Sequence, residues 1–267
     1  MCDTCGCNVT NANRHLVQDG GQLAHTGNGY ESVEVLKGLL DANNHQAEHN
    51  RQHFAEHGIL AVNLMSSPGA GKTALLEATI DALRQRCRIA VIVGDLETDN
   101  DARRLRQHGI QAIQISTGSA CHLDAHMLHT ALHDLELYDL DIVFIENVGN
   151  LVCPASFDLG QHCIVTLLSS PEGDDKPQKY PVMFRAADLM LLTKSDLTPL
   201  LGDFVPRRAE QYLRDLANDA PVFELSSRSG EGMNHWIHWL EHSLQLERAK
   251  VRDRIATHGY VAGHRHG

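Results

Sequence analysis

A glycine-rich loop between an apolar run and a helical pattern constrains this chain more than any other feature. Residues 66–73 read Ser-Ser-Pro-Gly-Ala-Gly-Lys-Thr, directly after the apolar run at 60–65 and before leucine and isoleucine at helical spacing. A strand, a glycine loop and a helix in this order are typical of a phosphate-binding loop, in which backbone N–H groups surround the phosphates. The alternative is a chance glycine turn. The sequence therefore predicts a nucleoside triphosphate as the ligand.

Residue types within this loop predict individual roles. Lys72 is expected to reach the β- and γ-phosphate oxygens, and the Thr73 hydroxyl is expected to bind Mg²⁺. Ser66 departs from the general pattern, which has glycine at the first position. The predicted phosphate cradle comprises Ser67, Gly69, Ala70, Gly71, Lys72, Thr73 and Ala74.

Apolar strands alternate with amphipathic helices along most of the chain. Strands are predicted at 59–65, 88–94, 110–116, 141–146, 162–168, 188–193 and 221–225, and helices at 73–86, 99–108, 120–136, 205–217 and 231–247. This alternation predicts an α/β fold with a doubly wound, mostly parallel sheet, the architecture of a P-loop NTPase or G domain. Ligands of such sheets lie at the carboxyl ends of the strands.

Composition shifts divide the chain into four predicted parts. Residues 1–30 are expected to form a flexible arm with a cysteine metal motif, and residues 31–58 a helical segment that bears histidines. The G domain is expected at 59–247. A basic, histidine-containing tail at 248–267 is expected to fray.

Charge and composition exclude several functional classes. Lys and Arg number 23 against 34 Asp and Glu, a formal net charge of −11, so the average surface repels nucleic acid and anionic lipid. The apolar runs fall far short of the roughly 20 residues of a membrane span, and the N-terminus shows no secretory signal. We therefore expect a cytoplasmic protein with no nucleic acid and no membrane as partner. In that reducing compartment, seven cysteines and 18 histidines favour metal chemistry over disulfides.

A second motif indicates which base is bound. The predicted strand at 188–193 ends in Thr-Lys-Ser-Asp, where the Asp196 carboxylate can accept both N–H groups of a guanine edge and the Lys194 stem can cover the ring. Ser227 and Arg228 follow the next predicted strand and are assigned to the same pocket. The alternative is a Lys and an Asp on a solvated loop. We expect GTP rather than ATP.

Two acidic residues end predicted strands beside the phosphates. Asp95 is expected to hold Mg²⁺, directly or through water, together with Thr73. Glu146 precedes Asn147-Val148-Gly149 and is expected to sense the γ-phosphate. Both acids could instead cap helices or loops. Lys72, Thr73, Asp95 and Glu146 form the predicted catalytic set.

Three cysteines at the N-terminus predict a metal site. Cys2, Cys5 and Cys7 supply three soft thiolates, and removal of Met1 would add the α-amine of Cys2. This donor set suits square-planar Ni²⁺ or Cu²⁺, although a tetrahedral Zn²⁺ could use it with water. A redox pair is the alternative, but the strand and helix that surround such a pair are absent here.

A second predicted metal set combines Cys121, His122 and Cys153. Ser119 is expected to cap a helix, so that the positive helix end favours the Cys121 thiolate. Cys153 follows the segment 146–149, so the metal would lie near the γ-phosphate sensor. Three protein ligands leave an open position, which suits an ion that is handed on. The alternative is that both cysteines are small buried apolar residues.

The remaining histidines and cysteines carry weaker signals. Four histidines recur every four residues and share one helix face: His45, His49, His53 and His57. Imidazoles at this spacing can chelate a divalent ion in a storage or buffering site, but a solvated polar stripe is the alternative. Cys87 and Cys163 are assigned to packing.

Six motifs of this chain occur together in one known family. They are Cys-x-x-Cys-Gly-Cys at 2–7, the glycine loop at 66–73, Gly-Asp-Leu-Glu-Thr-Asp-Asn-Asp at 94–101, Cys-His at 121–122, Glu-Asn-Val-Gly-Asn-Leu-Val-Cys at 146–153 and Thr-Lys-Ser-Asp at 193–196. The combination closely resembles the hydrogenase nickel-incorporation GTPases, the HypB family, which are maturation factors of the SIMIBI class of P-loop proteins. The resemblance covers about 59–245 and the first seven residues.

The resemblance implies a GTP-hydrolysing homodimer that helps to insert nickel into [NiFe]-hydrogenase. Its implied partners are a HypA-type nickel metallochaperone and the [NiFe]-hydrogenase large-subunit precursor. We expect metal binding to be coupled to nucleotide-dependent dimerisation. The resemblance implies a tight nickel site at Cys2, Cys5 and Cys7. A weaker Ni²⁺ or Zn²⁺ site, at the dimer interface, is implied for Cys121, His122 and Cys153.

Three other protein classes compete with this interpretation. The related urease-accessory GTPases have Cys-Pro-His at their metal position and lack the N-terminal cysteine trio. A nickel-storage protein with a vestigial nucleotide site would not need the intact Lys72, Thr73 and Asp196. A P-loop kinase for a small molecule should lack the guanine motif.

Overall fold

The computed structural model describes residues 30–95, 99–118 and 120–262. Its helices are α1 (Tyr30–His57), α2 (Lys72–Leu83), α3 (Asn100–Arg106), α4 (Ala125–Leu132), α5 (Lys176–Lys179), α6 (Pro181–Arg185), α7 (Pro206–Asp215) and α8 (Met233–Ala262). Its strands are β1 (Leu60–Met65), β2 (Ile89–Asp95), β3 (Gln111–Ser116), β4 (Ile142–Glu146), β5 (Cys163–Ser169), β6 (Leu189–Thr193) and β7 (Val222–Glu224). The predicted alternation of strands and helices is confirmed.

The strands form one seven-stranded sheet in the order β3-β2-β4-β1-β5-β6-β7. Every strand pair in it is parallel, so all carboxyl ends lie at one edge. β1 lies between β4 and β5, with Leu64 in register with Glu146 on one side and Val165 on the other. The glycine loop that follows β1 therefore begins at the centre of the edge where ligands of such sheets bind.

Both faces of the sheet are covered, because successive strand residues point to opposite sides. Val62 and Phe144 belong to one apolar cluster, which α2 and α8 cover through residues such as Leu76 and Trp236. Neighbouring strand positions on the other side pack against α1 and α4 near β1, and against α6 and α7 near β6. Helices on both sides make the sheet doubly wound, as predicted. Cys87 and Cys163 pack against the first cluster, which agrees with their assignment to packing.

Helix α1 is fixed to the G domain by two buried asparagines. Asn43 accepts from the Ala125 N–H at 2.9 Å and donates to the Asp158 carbonyl at 2.8 Å. Asn50 donates to the carbonyls of Ala125 at 2.8 Å and Leu159 at 3.1 Å. Gly160 permits this contact: its φ is +86°, and a Cβ there would lie 2.3 Å from the carbonyl oxygen of Ala47. The segment expected to bear histidines is thus packed against the domain.

Two sequence predictions about helices are wrong. Helix α4 begins at Ala125 rather than near 120, and its N-cap is Asp124, whose side chain accepts from the Met127 N–H at 2.8 Å. The prediction that Ser119 caps this helix is therefore wrong; Ser119 itself lies outside the described residues.

The predicted C-terminal end of the last helix is the second error. Helix α8 continues past Glu247, where the sequence predicted its end, to Ala262. Buried Glu247 lies 3.4 Å from His162, and Arg248 pairs with Asp141, so contacts with the domain extend the helix. No helix in the described residues has both the length and the apolar character needed to cross a membrane.

Candidate nucleotide and metal sites

The glycine loop joins β1 to α2 with its lysine already directed inward. Gly71 caps α2 with a φ of 99°, a left-handed conformation that glycine adopts without strain. Lys72 is only 7% exposed and donates to the Ser66 hydroxyl at 3.0 Å. Burial lowers the pKa of Lys72, and the nearby carboxylate of Glu146 opposes that shift. The serine that departs from the usual pattern is thus the hydrogen-bond partner of the lysine.

Thr73 and Glu146 meet beside this lysine. The Thr73 hydroxyl donates to Glu146 Oε1 at 2.8 Å, whereas Oε2 is buried and has no hydrogen-bond partner among the described residues. Burial raises the pKa of Glu146 to about 7, against opposing contributions from Lys72 and Thr73. Half-buried Asp95 ends β2, the strand next to β4. A hydroxyl and carboxylate oxygens, one of them lacking a partner, fit the hard oxygen ligands of Mg²⁺.

The guanine motif contacts the glycine loop directly. The Thr193 hydroxyl donates to the Ala70 carbonyl and Lys194 Nζ to the Gly69 carbonyl, both at 2.7 Å. Lys194 itself has a φ of 58°, so the chain turns sharply after β6. The Thr193 and Lys194 side chains therefore hold this motif against the predicted phosphate cradle.

Asp196, the last residue of this motif, contacts the segment 226–228. Asp196 Oδ1 accepts from the Ser226 hydroxyl at 2.6 Å, which joins the loops after β6 and β7. Ser227 is half-buried and Arg228 exposed in the same loop, and Ala74 is exposed in the first turn of α2. The structure thus brings the predicted base-binding motifs together beside the loop.

Glu172 is a site residue that the sequence analysis missed. One of its oxygens accepts a hydrogen bond from the Ser67 hydroxyl in the glycine loop. The other accepts from the Ser169 N–H at 2.9 Å and its hydroxyl at 2.6 Å. The Ser-x-x-Glu capping pattern at 169–172, directly after β5, could have revealed it. It ties the glycine loop to the end of the neighbouring strand.

The structure brings together the three residues of the second predicted metal set, although Cys153 lies far along the chain from the adjacent Cys121 and His122. One ligand atom each from Cys121, His122 and Cys153 lies within 4.8 Å of the others. Cys121 Sγ and His122 Nδ1 are 4.0 Å apart, and Asn150 donates to the Cys121 carbonyl at 3.2 Å. Two thiols and one imidazole form a donor set suited to Zn²⁺ and Ni²⁺.

Burial favours the uncharged forms of Cys121 and His122. Burial and then the neighbouring Cys153 raise the pKa of the Cys121 thiol to about 11. The expected helix-end effect on this thiolate is wrong, because α4 begins four residues later. Burial also lowers the pKa of His122 to about 4, so the imidazole keeps a free lone pair. Its ring stacks on Phe157 at 3.9 Å. Cation binding must therefore release thiol protons.

Asn147 connects the two sites. It directly follows Glu146, and its Oδ1 accepts from the N–H of Leu123, the residue after His122, at 3.2 Å. Its amide group donates to Asn63 in β1 at 3.3 Å. Two positions further, a Cβ on Gly149 would lie 2.9 Å from the backbone of Pro68 in the glycine loop. The segment between Glu146 and Cys153 thus touches the glycine loop and the metal set.

The N-terminal site cannot be described in the same way. Cys2, Cys5 and Cys7 lie outside the described residues, so their assignment stays a prediction.

Comparison with known proteins identifies the family. The family described as "CobW/HypB/UreG, nucleotide-binding domain" matches residues 60–224. A hydrogenase maturation factor HypB from Azotobacter chroococcum is 49% identical over 223 residues, which cover 84% of this chain and 72% of that protein. The chain belongs to the HypB family. The HypB of Escherichia coli K12 is 51% identical over 209 residues, 78% of this chain and 72% of that protein.

A solved HypB structure agrees with the fold. The crystal structure of Helicobacter pylori HypB in complex with nickel is similar at a TM-score of 0.74 and 38% identity. The similarity covers 78% of this chain and 97% of that one. The nucleotide-binding domain of the HypB family therefore makes up most of this chain.

Proposed function

We propose that this chain is a cytoplasmic GTP-hydrolysing nickel metallochaperone that helps to insert nickel into a [NiFe]-hydrogenase. Membership of the HypB family supports the proposal, as do the intact glycine loop and the cysteine and histidine set beside it. The observation that carries it is Asn147, which adjoins the Thr73 partner Glu146 and hydrogen-bonds the residue after His122. Nucleotide and cation sites that share one such contact can sense each other.

GTP is the proposed nucleotide. Backbone N–H groups of the cradle would hold its phosphates, and the Lys72 ammonium would exchange the Ser66 hydroxyl for a phosphate oxygen. Asp196 would accept from the guanine edge, with Lys194 across the ring. Thr73, Glu146 and Asp95 would hold Mg²⁺, which supplies charge neutralisation at the phosphate oxygens. Position and charge complementarity are the main contributions that a protein makes to phosphoryl transfer.

Nickel is the proposed cargo of the Cys121, His122 and Cys153 set, and Zn²⁺ is a competing ion. The thiols would give up their protons as the cation enters, while the neutral imidazole binds without a proton change. Three protein ligands leave a position for a ligand from a partner. Cys2, Cys5 and Cys7 would form a separate, tighter site.

Dimerisation and the other partners complete the proposal. GTP and Mg²⁺ would order the segments around Asp95 and Glu146 and favour a homodimer with the second metal set at its interface. Hydrolysis would reverse this change and alter the geometry of the cation site. A HypA-type nickel metallochaperone and the [NiFe]-hydrogenase large-subunit precursor are the proposed partners.

A metal titration tests this function. The reduced full-length protein is titrated with Ni²⁺ with and without a non-hydrolysable GTP analogue, and the oligomeric mass is followed. We expect the analogue to change the affinity of one cation site and to increase the mass to that of a dimer. Cys121→Ala should abolish the nucleotide-sensitive site, and Lys72→Ala should abolish GTP turnover while it leaves the tighter cation site intact. Unchanged turnover in Lys72→Ala would refute the phosphate assignment, and an unaltered titration of Cys121→Ala would refute the metal assignment.

A further inference from the structure

Two pairs of histidines face each other between α1 and the end of α4. His49 and His53 lie one helical turn apart on α1, as do His129 in α4 and His133 at its C-cap. Ring centroids are 5.1 Å apart for His49 and His53, and 4.7 Å apart for His129 and His133. Across the two helices, the His129 ring is 5.4 Å from that of His49 and 5.6 Å from that of His53. We call these four residues the histidine cluster.

Nitrogen atoms of the cluster already approach the spacing of ligands around one ion. One ligand nitrogen each of His49, His53 and His129 lies within 4.8 Å of the others. The Nε2 atoms of His129 and His133 are 3.2 Å apart. Two nitrogens that bind one tetrahedral Zn²⁺ at about 2.0–2.1 Å stand about 3.3 Å from each other. Side-chain rotation alone could therefore bring the remaining rings onto a common ion.

The backbone beneath the cluster is fixed. Phe54 of α1 packs in one apolar cluster with Leu128, Ala131 and Leu132 of α4. Asn50, between His49 and His53, donates to the Ala125 carbonyl at 2.8 Å. The two helices therefore hold the histidine pairs at a set distance.

Asn50 also fixes which nitrogen of His129 is free. Because the amide group of Asn50 donates to two carbonyls, its Oδ1 faces His129 Nδ1, 3.1 Å away, as an acceptor. His129 Nδ1 must then carry the hydrogen. Its Nε2 lone pair therefore points toward His133, as in metal-ligating histidines whose second nitrogen is held by a hydrogen bond.

A cation can reach the cluster from solvent. His49 and His133 are exposed, and His53 and His129 are half-buried. A cavity of about 500 Å³, lined in part by His53, His129, His133 and Glu136, adjoins three of the four rings. An ion could therefore enter without unfolding of either helix.

We propose that the histidine cluster binds one divalent transition-metal ion of the zinc and nickel class, which links α1 to α4. Imidazole nitrogen suits these ions, and two i, i+4 pairs supply four ligands. The site contains no sulfur and is distinct from the Cys121, His122 and Cys153 set. Neither His45 nor His57 takes part, so the structure selects two histidines of the helix stripe and adds two from α4. The proposal does not depend on nucleotide binding.

Paired variants test the site in the reduced full-length chain, with Zn²⁺ as the probe. His49→Ala/His133→Ala removes two exposed ligands, one from each helix. His45→Ala/His126→Ala is the matched control, because it also removes one histidine from each helix but none from the cluster. Isothermal titration gives the number of bound Zn²⁺ ions, and amide hydrogen exchange of 43–57 and 125–132 reports whether the ion links the helices.

We expect the cluster variant to bind one Zn²⁺ fewer than the unchanged chain and the control to bind the same number. Zn²⁺ should slow amide exchange in both segments of the unchanged chain and the control, but not in the cluster variant. Equal stoichiometry in all three proteins would overturn the proposal, as would an equal loss in both variants. If the double variant melts earlier without metal, His49→Ala alone replaces it, with the same criteria against His45→Ala.

Discussion

Burial of Glu146 disfavours the charged form of its carboxyl group. It is 4% exposed, and only one of its oxygens has a hydrogen-bond partner among the described residues. The lowered pKa of Lys72 and the raised pKa of Glu146 share one cause, because removal from water disfavours the charged form of both. A divalent cation such as Mg²⁺ at the unpartnered oxygen would stabilise the carboxylate.

This environment predicts a pH-dependent stability. The pKa of Glu146 rises from 4.5 to about 7 on folding, so the folded state binds the proton more tightly than the unfolded state. The contribution of Glu146 to the free energy of unfolding is then fully present below pH 4.5 and is lost as the pH rises through about 7. The full loss amounts to roughly 3 kcal/mol. Glu146→Gln should lack this loss.

The measurement is urea unfolding without nucleotide or Mg²⁺ at pH 5 and pH 8. Between pH 5 and pH 8, the free energy of unfolding of the unchanged protein should fall by about 2–3 kcal/mol more than that of Glu146→Gln. Glu231→Gln is the control, since that carboxyl is exposed. Parallel pH dependences in the protein and Glu146→Gln would contradict this assignment.

At the scale of elements, two asparagine side chains of α1 attach this helix to the domain, because they hydrogen-bond backbone groups of the domain. Asn43 and Asn50 satisfy the Ala125 N–H and the carbonyls of Ala125, Asp158 and Leu159. A buried backbone group that loses its only partner costs about 1–3 kcal/mol. The helix is therefore joined to α4 by polar contacts as well as by Phe54.

Asn50→Ala should destabilise the protein by about 2–4 kcal/mol, because two buried carbonyls lose a donor. We also expect faster amide exchange in α1, since its attachment to α4 weakens. Denaturant unfolding and hydrogen exchange measure the two effects, with exposed His45→Ala as the control. A loss under 1 kcal/mol with unchanged exchange would show that the helix is attached without a contribution from Asn50.

The elements could largely be predicted from the sequence, and the helix ends could not. Apolar strands and the glycine loop carry strong local signals, so the sheet and the position of Lys72 followed from pattern. Asp124 and Ser119 both suit a helix cap by residue type, and the structure has Asp124 as the cap, one residue before the Ala125 N–H that donates to Asn43. The sequence pattern predicts that the last helix ends at Glu247, but the contact of Glu247 with His162 helps to extend α8 beyond it. The role of Asn147 likewise depends on a contact 24 positions away.

At the scale of the whole molecule, one chain segment lies beside both the predicted phosphate site and the predicted cation set. The carboxyl ends of the parallel strands lie at one edge, which places the end of β4 beside the glycine loop. The same segment then runs on to Cys153. Coupling between sites needs an element whose position both ligands affect, and the segment 146–153 meets that description.

Asn147→Ala should uncouple the two sites. It removes the acceptor for Leu123 while Lys72, Cys121, His122 and Cys153 remain. The GTP analogue should then change cation affinity less than twofold, against the roughly 5- to 150-fold of typical coupling in the unchanged protein.

Ni²⁺ titrations with and without the analogue give the ratio of the two Ni²⁺ affinities for the unchanged protein, for Asn147→Ala and for the exposed control Asn234→Ala. A ratio in Asn147→Ala equal to that of the control would exclude Asn147 as the connection.

The unequal exposure of the three proposed cation donors would set the order in which they exchange. His122 is fully buried against Phe157, whereas Cys121 and Cys153 are each half-buried. An incoming chelator from another protein would therefore meet sulfur first and would displace a thiolate before the imidazole. A cation held by this set would leave the two cysteines first and the His122 nitrogen last.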